Sequence, residues 1–168
     1  MITIKHSTEL GGIWSQWTPS GLFRIALACP EDAIAETAKG QSTTIEQFDN
    51  LLRSFCETGQ GDFTEILLDE SNWTPFTHRV YECCRKIPPG QTLTYKQLAT
   101  EAGSPKASRA VGAAMSRNRI LLVIPCHRVL ASNGQLRGFS APGGVSTKRK
   151  LLDLEQRDQL QNFALSTR

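Results

Sequence analysis

A chain of 168 residues with 39% hydrophobic and 21% charged side chains has enough apolar material for one core or two small ones, and too much to stay disordered. It has no run approaching the roughly 18 apolar residues of a membrane span, and its start, Met1-Ile2-Thr3-Ile4-Lys5-His6, lacks the basic-then-apolar order of a secretory leader, so the expectation is a cytoplasmic protein with no membrane partner. The net charge of +3 hides an imbalance: residues 1–74 carry 4 basic against 11 acidic side chains, a net of −7, and residues 75–168 carry 15 against 5, a net of +10. That split fits a polyanion met by the second part alone, or a solvated basic surface with no partner.

In chain order, Ile2-Thr3-Ile4 and Ile13-Trp14-Ser15-Gln16-Trp17 alternate and predict strands. Thr18-Pro19-Ser20-Gly21 reads as a turn, and Leu22 to Leu27 as a third strand. Thr43 with Glu46 predicts a capping box for a helix with Ile45, Phe48, Leu52 and Phe55 on its apolar face and Gly59 as its stop. Ile66-Leu67-Leu68 reads as a short buried strand. Composition and charge change near Asn72-Trp73-Thr74, which divides the chain into expected domains of residues 1–73 and 74–168.

Beyond that boundary, Thr74-Pro75 predicts an N-cap with proline at the first helical position. Phe76, Val80, Cys83 or Cys84, and Ile87 form the stripe of that helix, and Pro88-Pro89-Gly90 stops it. Thr94 with Gln97 predicts a second capping box and a short helix through Ala102, which Gly103 ends. Ser104-Pro105 predicts the start of another helix through Ser116. Two short helices around Gly103-Ser104 read as a helix-turn-helix. Ile120 to Ile124 reads as a buried strand and Asn133-Gly134 as a hairpin turn. Ser140 to Gly144 reads as a loop, and Ser146 as the cap of a last helix with Leu151, Leu152 and Leu154 inward.

Five cysteines (Cys29, Cys56, Cys83, Cys84 and Cys126) are an odd number with no regular spacing, which argues against a disulfide framework. Adjacent Cys83 and Cys84 do not suit zinc, whose cysteine ligands are usually two to four residues apart. The first four read as small buried hydrophobes. Cys126 differs: behind Pro125, at the end of an apolar run, it is expected on an exposed turn. His127 and Arg128 beside it could lower the thiol pKa by charge, and His127 could supply a base through a bridging water; a buried structural cysteine is the alternative. The second helix of the pair, Lys106 to Met115, is built of small residues with Arg109 alone on a smooth face. It could approach a partner closely, with Arg109 as a wedge for a base stack, or simply pack on its neighbour. Glu155 reads as surface unless its face meets the Cys126 loop, where it could orient His127.

Ile124-Pro-Cys-His-Arg-Val129 resembles the active-site signature of the O6-alkylguanine-DNA alkyltransferases, also called methylated-DNA–protein-cysteine methyltransferases. Thr94-Tyr95-Lys96-Gln97-Leu98, Ala107-Ser108-Arg109-Ala110-Val111-Gly112, Asn118 and Leu151-Leu152-Asp153-Leu154-Glu155 match in order and spacing. The resemblance runs from Pro75 to Gln156; the acidic first part is similar only in layout. It implies an α+β fold with a small N-terminal sheet-plus-helix domain and a mostly helical C-terminal domain carrying a winged helix-turn-helix-like motif. It implies single, irreversible alkyl transfer from a flipped O6-alkylguanine, and by extension O4-alkylthymine, to Cys126. His127 would deprotonate Cys126 through water, with Glu155 holding His127, and Tyr95 would donate to N3 of the departing guanine. Arg109 would fill the stack, with Lys106, Ala107, Ser108 and Gly112 on the DNA-facing surface. Asn118 would brace the Cys126 turn beside Arg128, and the backbone of Val129 and Ser140 would read the guanine edge. The implied partner is double-stranded DNA containing alkylated guanine, met by a monomer without metal or cofactor. Two departures stand out: the Gly138–Gly144 loop is about two residues longer than usual, and the N-terminal zinc site of some relatives has no counterpart.

Overall fold

Alternating side chains build the N-terminal sheet. The structure, a computed structural model that describes residues 1–30 and 34–166, with side chains described to Gln156, has β1 (Ile2–Thr8), β2 (Gly11–Thr18) and β3 (Gly21–Ala26) as an antiparallel meander. The two-residue β4 (Glu36–Thr37) lies parallel to β1, giving the order β3-β2-β1-β4. Ile4 and His6 of β1 and Ile13, Ser15 and Trp17 of β2 are the buried residues, at the period of two that a one-sided strand requires. Helix α1 (Thr43–Thr58) buries Ile45, Phe48, Leu52 and Phe55. The last three are fully buried, each contributing about 1.5–3 kcal/mol of transfer free energy.

Polar residues within this interface are satisfied in a definite order. Trp17 Nε1 can only donate, and does so to Ser15 Oγ at 2.8 Å. The Ser15 hydroxyl then donates to His6 Nε2, 2.7 Å away. The ring proton is left on Nδ1, which donates to Asp49 Oδ1 at 2.6 Å, and Arg53 Nε donates to the other Asp49 oxygen at 2.7 Å. The order is that of a serine hydrolase triad, but Ser15 and His6 are completely buried and no substrate reaches them. Burial holds His6 below its ordinary pKa against the opposing hydrogen bond to Asp49.

The second part comprises α2 (Pro75–Arg85), β5 (Leu93–Thr94), α3 (Tyr95–Glu101), α4 (Ser108–Ser116), a 3₁₀ turn at Cys126–Arg128, β6 (Val129–Leu130) and α5 (Val145–Ser166). Strands β5 and β6 pair in parallel. Thr74 caps α2 by accepting from Thr77 N at 3.2 Å, with Pro75 first in the helix. Thr94 and Gln97 form the reciprocal capping box of α3. Helices α3 and α4 make the helix-turn-helix, turning at Gly103 with φ +71°, and the Tyr81 hydroxyl of α2 donates to the Ala114 carbonyl of α4 at 2.8 Å. One core runs through both parts. Strand β3 bridges to Leu68 and to Ile120, and Arg119 lies 4.0 Å over the Phe23 ring while donating to the Phe23 carbonyl. Among the described residues no helix is long and apolar enough to cross a membrane.

Several local expectations are overturned. Helix α1 is capped at Ser42 without a side-chain bond, and Glu46 accepts from Gly40 N instead of closing a box on Thr43. Ile66–Leu68 makes only a bridge at Leu68, with Leu67 exposed, because Asp69 folds back to accept from Ser71 N and Oγ. Helix α4 begins at Ser108, since Ser104-Pro105-Lys106-Ala107 is a closed turn with Ala107 N donating to Ser104 O at 2.8 Å and proline in its favoured second place. Ile120–Ile124 is a buried irregular loop rather than a strand. Asn133-Gly134 does turn, but the strands of a hairpin are absent among the described residues, since β6 pairs with β5. Helix α5 starts at Val145, and the Ser146 hydroxyl donates to the Gly143 carbonyl rather than capping.

Candidate active site

The loop before Cys126 is held by one side chain. Asn118 Nδ2 donates to the Ile124 carbonyl at 2.8 Å and Asn118 Oδ1 accepts from Ile120 N at 2.9 Å. Those two bonds, with the turn bonds from Val123 N to Leu121 O and from Ile124 N to Ile120 O, let Ile120–Ile124 bury without a ladder. Within the loop Leu122 takes φ +70°, the one non-glycine at positive φ among the described residues, a conformation costing about 1–2 kcal/mol. Cys126 N then donates to the Ile124 carbonyl at 2.7 Å and the 3₁₀ turn begins. Cys126 is thus buried, at 5% exposure, and not on an exposed turn; the exposed cysteine is Cys29.

Behind the turn lies a buried charge cluster. His127 Nε2 lies 2.7 Å from Glu155 Oε1, and both side chains are inaccessible to solvent. Arg128 donates to Glu155 from Nε at 3.0 and 3.2 Å and from Nη2 at 2.9 Å, and from Nη1 to the Ile87 carbonyl. Gly90 N donates to Glu155 Oε2 at 3.1 Å. Burial alone would raise the Glu155 pKa, but the hydrogen bonds and charges of His127 and Arg128 outweigh it and hold the carboxyl below its usual range. An ionised carboxylate only accepts, so the His127 proton sits on Nε2 and Nδ1 carries the lone pair. Nδ1 is buried with no protein partner. Burial also keeps His127 neutral by pulling its pKa down, against Glu155.

Arg128 is therefore committed to Glu155, and the expectation that it activates the thiol is corrected. The cation acting on Cys126 is Lys148, which the sequence reading missed. Lys148 is completely buried on α5, its Nζ donating to the Val129 carbonyl at 2.7 Å. Burial pushes the Cys126 thiol up, while Asn118, Lys148 and the backbone N–H groups of Cys126 and His127 pull it down. The net direction is up, so the resting group is a thiol.

Cys126 opens on a cavity of about 330 Å³ lined by Tyr95, Gly112, Met115, Ser116, the Arg137–Phe139 loop and Ser140, near the lower end of ligand-pocket sizes. Tyr95 stands at the first position of α3 behind the capping box, and burial raises its pKa, so its hydroxyl is a donor. Gly112 keeps the α4 wall flat; a Cβ there would reach Tyr95 at 4.0 Å. Arg109 and Lys106 are exposed, with Ala107 and Ser108 half-buried beside them. Ser140 is on the rim, while the Val129 N–H is already engaged with Cys126 O and its carbonyl with Lys148. A larger cleft of about 720 Å³ runs on the far side of Ser140, between β3 and Asn118–Leu121. Neither Cys126 nor His127 lines it, so the smaller cavity is the candidate site. The fold thus brings together Cys126, His127, Arg128, Glu155, Asn118, Tyr95 and Gly112, and leaves Arg109 of α4 and Lys106 of the turn before it outside and exposed.

A mostly helical segment that presents a buried cysteine beside a helix-turn-helix defines a narrow class. Residues 75–157 match the family described as 6-O-methylguanine DNA methyltransferase, DNA binding domain. The chain is 41% identical over 106 residues to a methylated-DNA–protein-cysteine methyltransferase of Mycobacterium leprae, covering 62% of this chain and 63% of that protein. It is 51% identical over 79 residues to one of Salmonella typhimurium, covering 47% of this chain and 45% of that protein. The matched stretches thus span less than two thirds of these curated relatives. The fold resembles the crystal structure of Mycobacterium tuberculosis OGT in complex with DNA over 94% of both chains, with a TM-score of 0.77 and 28% identity. The alkyltransferase likeness thus lies in residues 75–157 by sequence, and extends over nearly the whole chain by fold.

Proposed function

We propose that this chain repairs DNA by moving an alkyl group from O6-alkylguanine, and by extension O4-alkylthymine, onto Cys126 Sγ, once per molecule. The observation that carries the reading is the continuous series Cys126, His127, Glu155 opening on a cavity walled by Tyr95 and α4. The basic second part meets the phosphates of duplex DNA as a monomer, with α4 and the turn before it laid along the groove so that the small Ala107, Ser108 and Gly112 allow close backbone approach and Lys106 meets a phosphate. Arg109 fills the stack vacated by the flipped base. The Cys126 proton passes through a bridging water to His127 Nδ1, the atom with a free lone pair, and Glu155 stabilises the imidazolium. Sγ then attacks the alkyl carbon, the S–C bond forms as the C–O6 bond breaks, and the guanine leaves with the electron pair. Tyr95 donates to N3 of that guanine and offsets its developing charge; the proton taken from the thiol balances the one the base finally gains. The Ser140 backbone, on the rim of the cavity, reads the guanine edge. The five free cysteines fit a reducing compartment such as the cytoplasm.

The test is the intact mass after incubation with a duplex carrying O6-methylguanine. One methyl per chain, on Cys126, is expected, and none on Cys126→Ala, which still binds the duplex because phosphate contacts dominate affinity. Methylation persisting in Cys126→Ala, or repeated turnover by the unsubstituted protein, would overturn the proposal.

A further inference from the structure

Away from the cavity, where the chain enters α2, three metal-ligating side chains converge. His78 and Glu82 stand one helical turn apart on α2, on the same face. Glu70, from the segment leading into the helix, reaches the same point. The ligand atoms of the three all lie within 4.8 Å of one another, with Glu70 Oε2 3.1 Å from His78 Nε2. A surface ion pair between Glu70 and His78 accounts for that one contact. It does not account for Glu82, a second carboxylate aimed at the same imidazole. Among the described residues Glu82 has only a long ion pair, to Arg85 Nη1 at 3.9 Å, and the Nη2 of that guanidinium donates to the carbonyls of Phe63, Thr64 and Ile66. The imidazole is also held in place, with its ring tilted at 61° to Trp73 and 6.1 Å from it, and Trp73 packed in turn on Tyr81.

We propose that Glu70, His78 and Glu82 bind a divalent transition ion of the zinc class, which fastens the 69–74 segment to α2. One imidazole and two carboxylates fall within the zinc donor set, and three protein ligands leave the fourth tetrahedral position to water, as in open zinc sites. An imidazole ligand disfavours magnesium and calcium, which prefer all-oxygen shells. All three side chains are partly exposed, so an ion enters from solvent without unfolding. The segment it would fasten is the one that ties the sheet to the helices: Asp69 N donates to Leu22 O, and Thr18 Oγ1 donates to the Asp69 carboxylate at 2.6 Å.

The full chain, stripped with a chelator and kept reduced, is titrated with zinc chloride by calorimetry, and with cobalt chloride by visible absorption. One equivalent is expected to bind, and saturating zinc is expected to raise the unfolding midpoint. His78→Ala, Glu70→Gln and Glu82→Gln should each weaken binding by at least the roughly 10–100-fold that loss of an outer-shell partner costs. Circular dichroism checks that each exposed substitution leaves the fold intact. Methyl transfer by the metal-free protein should be unchanged, which separates this site from the Cys126 chemistry. Equal zinc affinity in His78→Ala and the parent protein would overturn the proposal. So would an intense thiolate-to-cobalt band, which would assign the ion to a cysteine instead.

Discussion

Glu155→Gln is the sharpest probe of the buried cluster, because it keeps the shape and removes only the charge. In the structure the Glu155 carboxylate receives His127 Nε2, Arg128 Nε and Nη2, and Gly90 N. A glutamine offers a single acceptor oxygen, and its amide group must point a donor at one of those donors. Arg128, 4% exposed, would keep its charge with no counterion. Removing one partner of a buried pair costs about 3–5 kcal/mol of stability. The kinetic effect is separate. His127 would lose the anion that fixes its tautomer and stabilises its protonated form, so a base worth roughly 10²–10⁴ in rate is disabled, about 3–5 kcal/mol in the barrier. The assay is a single-turnover rate on methylated duplex, beside urea unfolding of the same preparation. The Glu155→Gln/Arg128→Met double variant separates the two effects: it removes the orphaned charge and should recover stability while the rate stays low. A Glu155→Gln rate within about threefold of the parent, in a protein shown to be folded, would refute a role for Glu155 in the chemistry.

Arg109→Ala should slow repair of duplex by roughly tenfold or more, since unstacking costs a few kcal/mol that the side chain partly returns; reaction with free alkylguanine should be far less affected, and equal losses on both substrates would remove the wedge role. Lys148→Met should lower the transfer rate near neutral pH by about tenfold, equivalent to about 1.4 kcal/mol, and move the pH–rate profile to higher pH, because the cation that favours the Cys126 thiolate is gone; a profile that does not move would leave Lys148 as packing only. Stability should be lost in two stages on acidification. His6 and His127 have folded pKa values below the unfolded one, so below about 6.5 the unfolded chain binds protons that the folded chain refuses and the urea midpoint falls. Asp49 and Glu155 are also lowered, and their contribution goes at more acid pH, below about 4; a midpoint that rises between about pH 7 and 5 would contradict the burial of neutral histidines.

Features that rest on neighbours in sequence were readable without the structure. The Thr94–Gln97 box, the Thr74-Pro75 start and the stripe of α1 all depend on residues within a turn or two of one another, and all three form. The misreadings come from partners that are distant or of unusual type. Ile120–Ile124 has the composition of a buried strand, but its backbone is satisfied by turn bonds within the loop and by the Asn118 side chain, which composition does not reveal. Lys148 is followed directly by Arg149 and Lys150 and looks like one more solvated cation, yet it is the one of the three that turns inward. Glu155 was placed by its spacing from Leu151 and Leu152, but that it would collect both His127 and Arg128 depends on where the Cys126 turn lands against α5.

The burial of Cys126 has a chemical rationale on the proposed reading. A protein that spends its nucleophile in one event gains nothing from a thiolate that is always present, because exposed thiolates oxidise and react with adventitious electrophiles. Here desolvation keeps the group a thiol, while Asn118, Lys148 and two backbone N–H groups stand ready to stabilise the anion. Neither influence alone would serve. Burial without those groups would make deprotonation too costly, and the groups without burial would leave a thiolate in water. With both, the proton is held until a base enters the cavity, places its alkyl carbon against Sγ and presents its ring to Tyr95. The same low-dielectric surroundings that hold the thiol protonated then strengthen every charge interaction made by the departing guanine. Selectivity for the bound base over passing electrophiles follows from the position of the thiol at the foot of the cavity, and it requires no intrinsic reactivity in the resting protein.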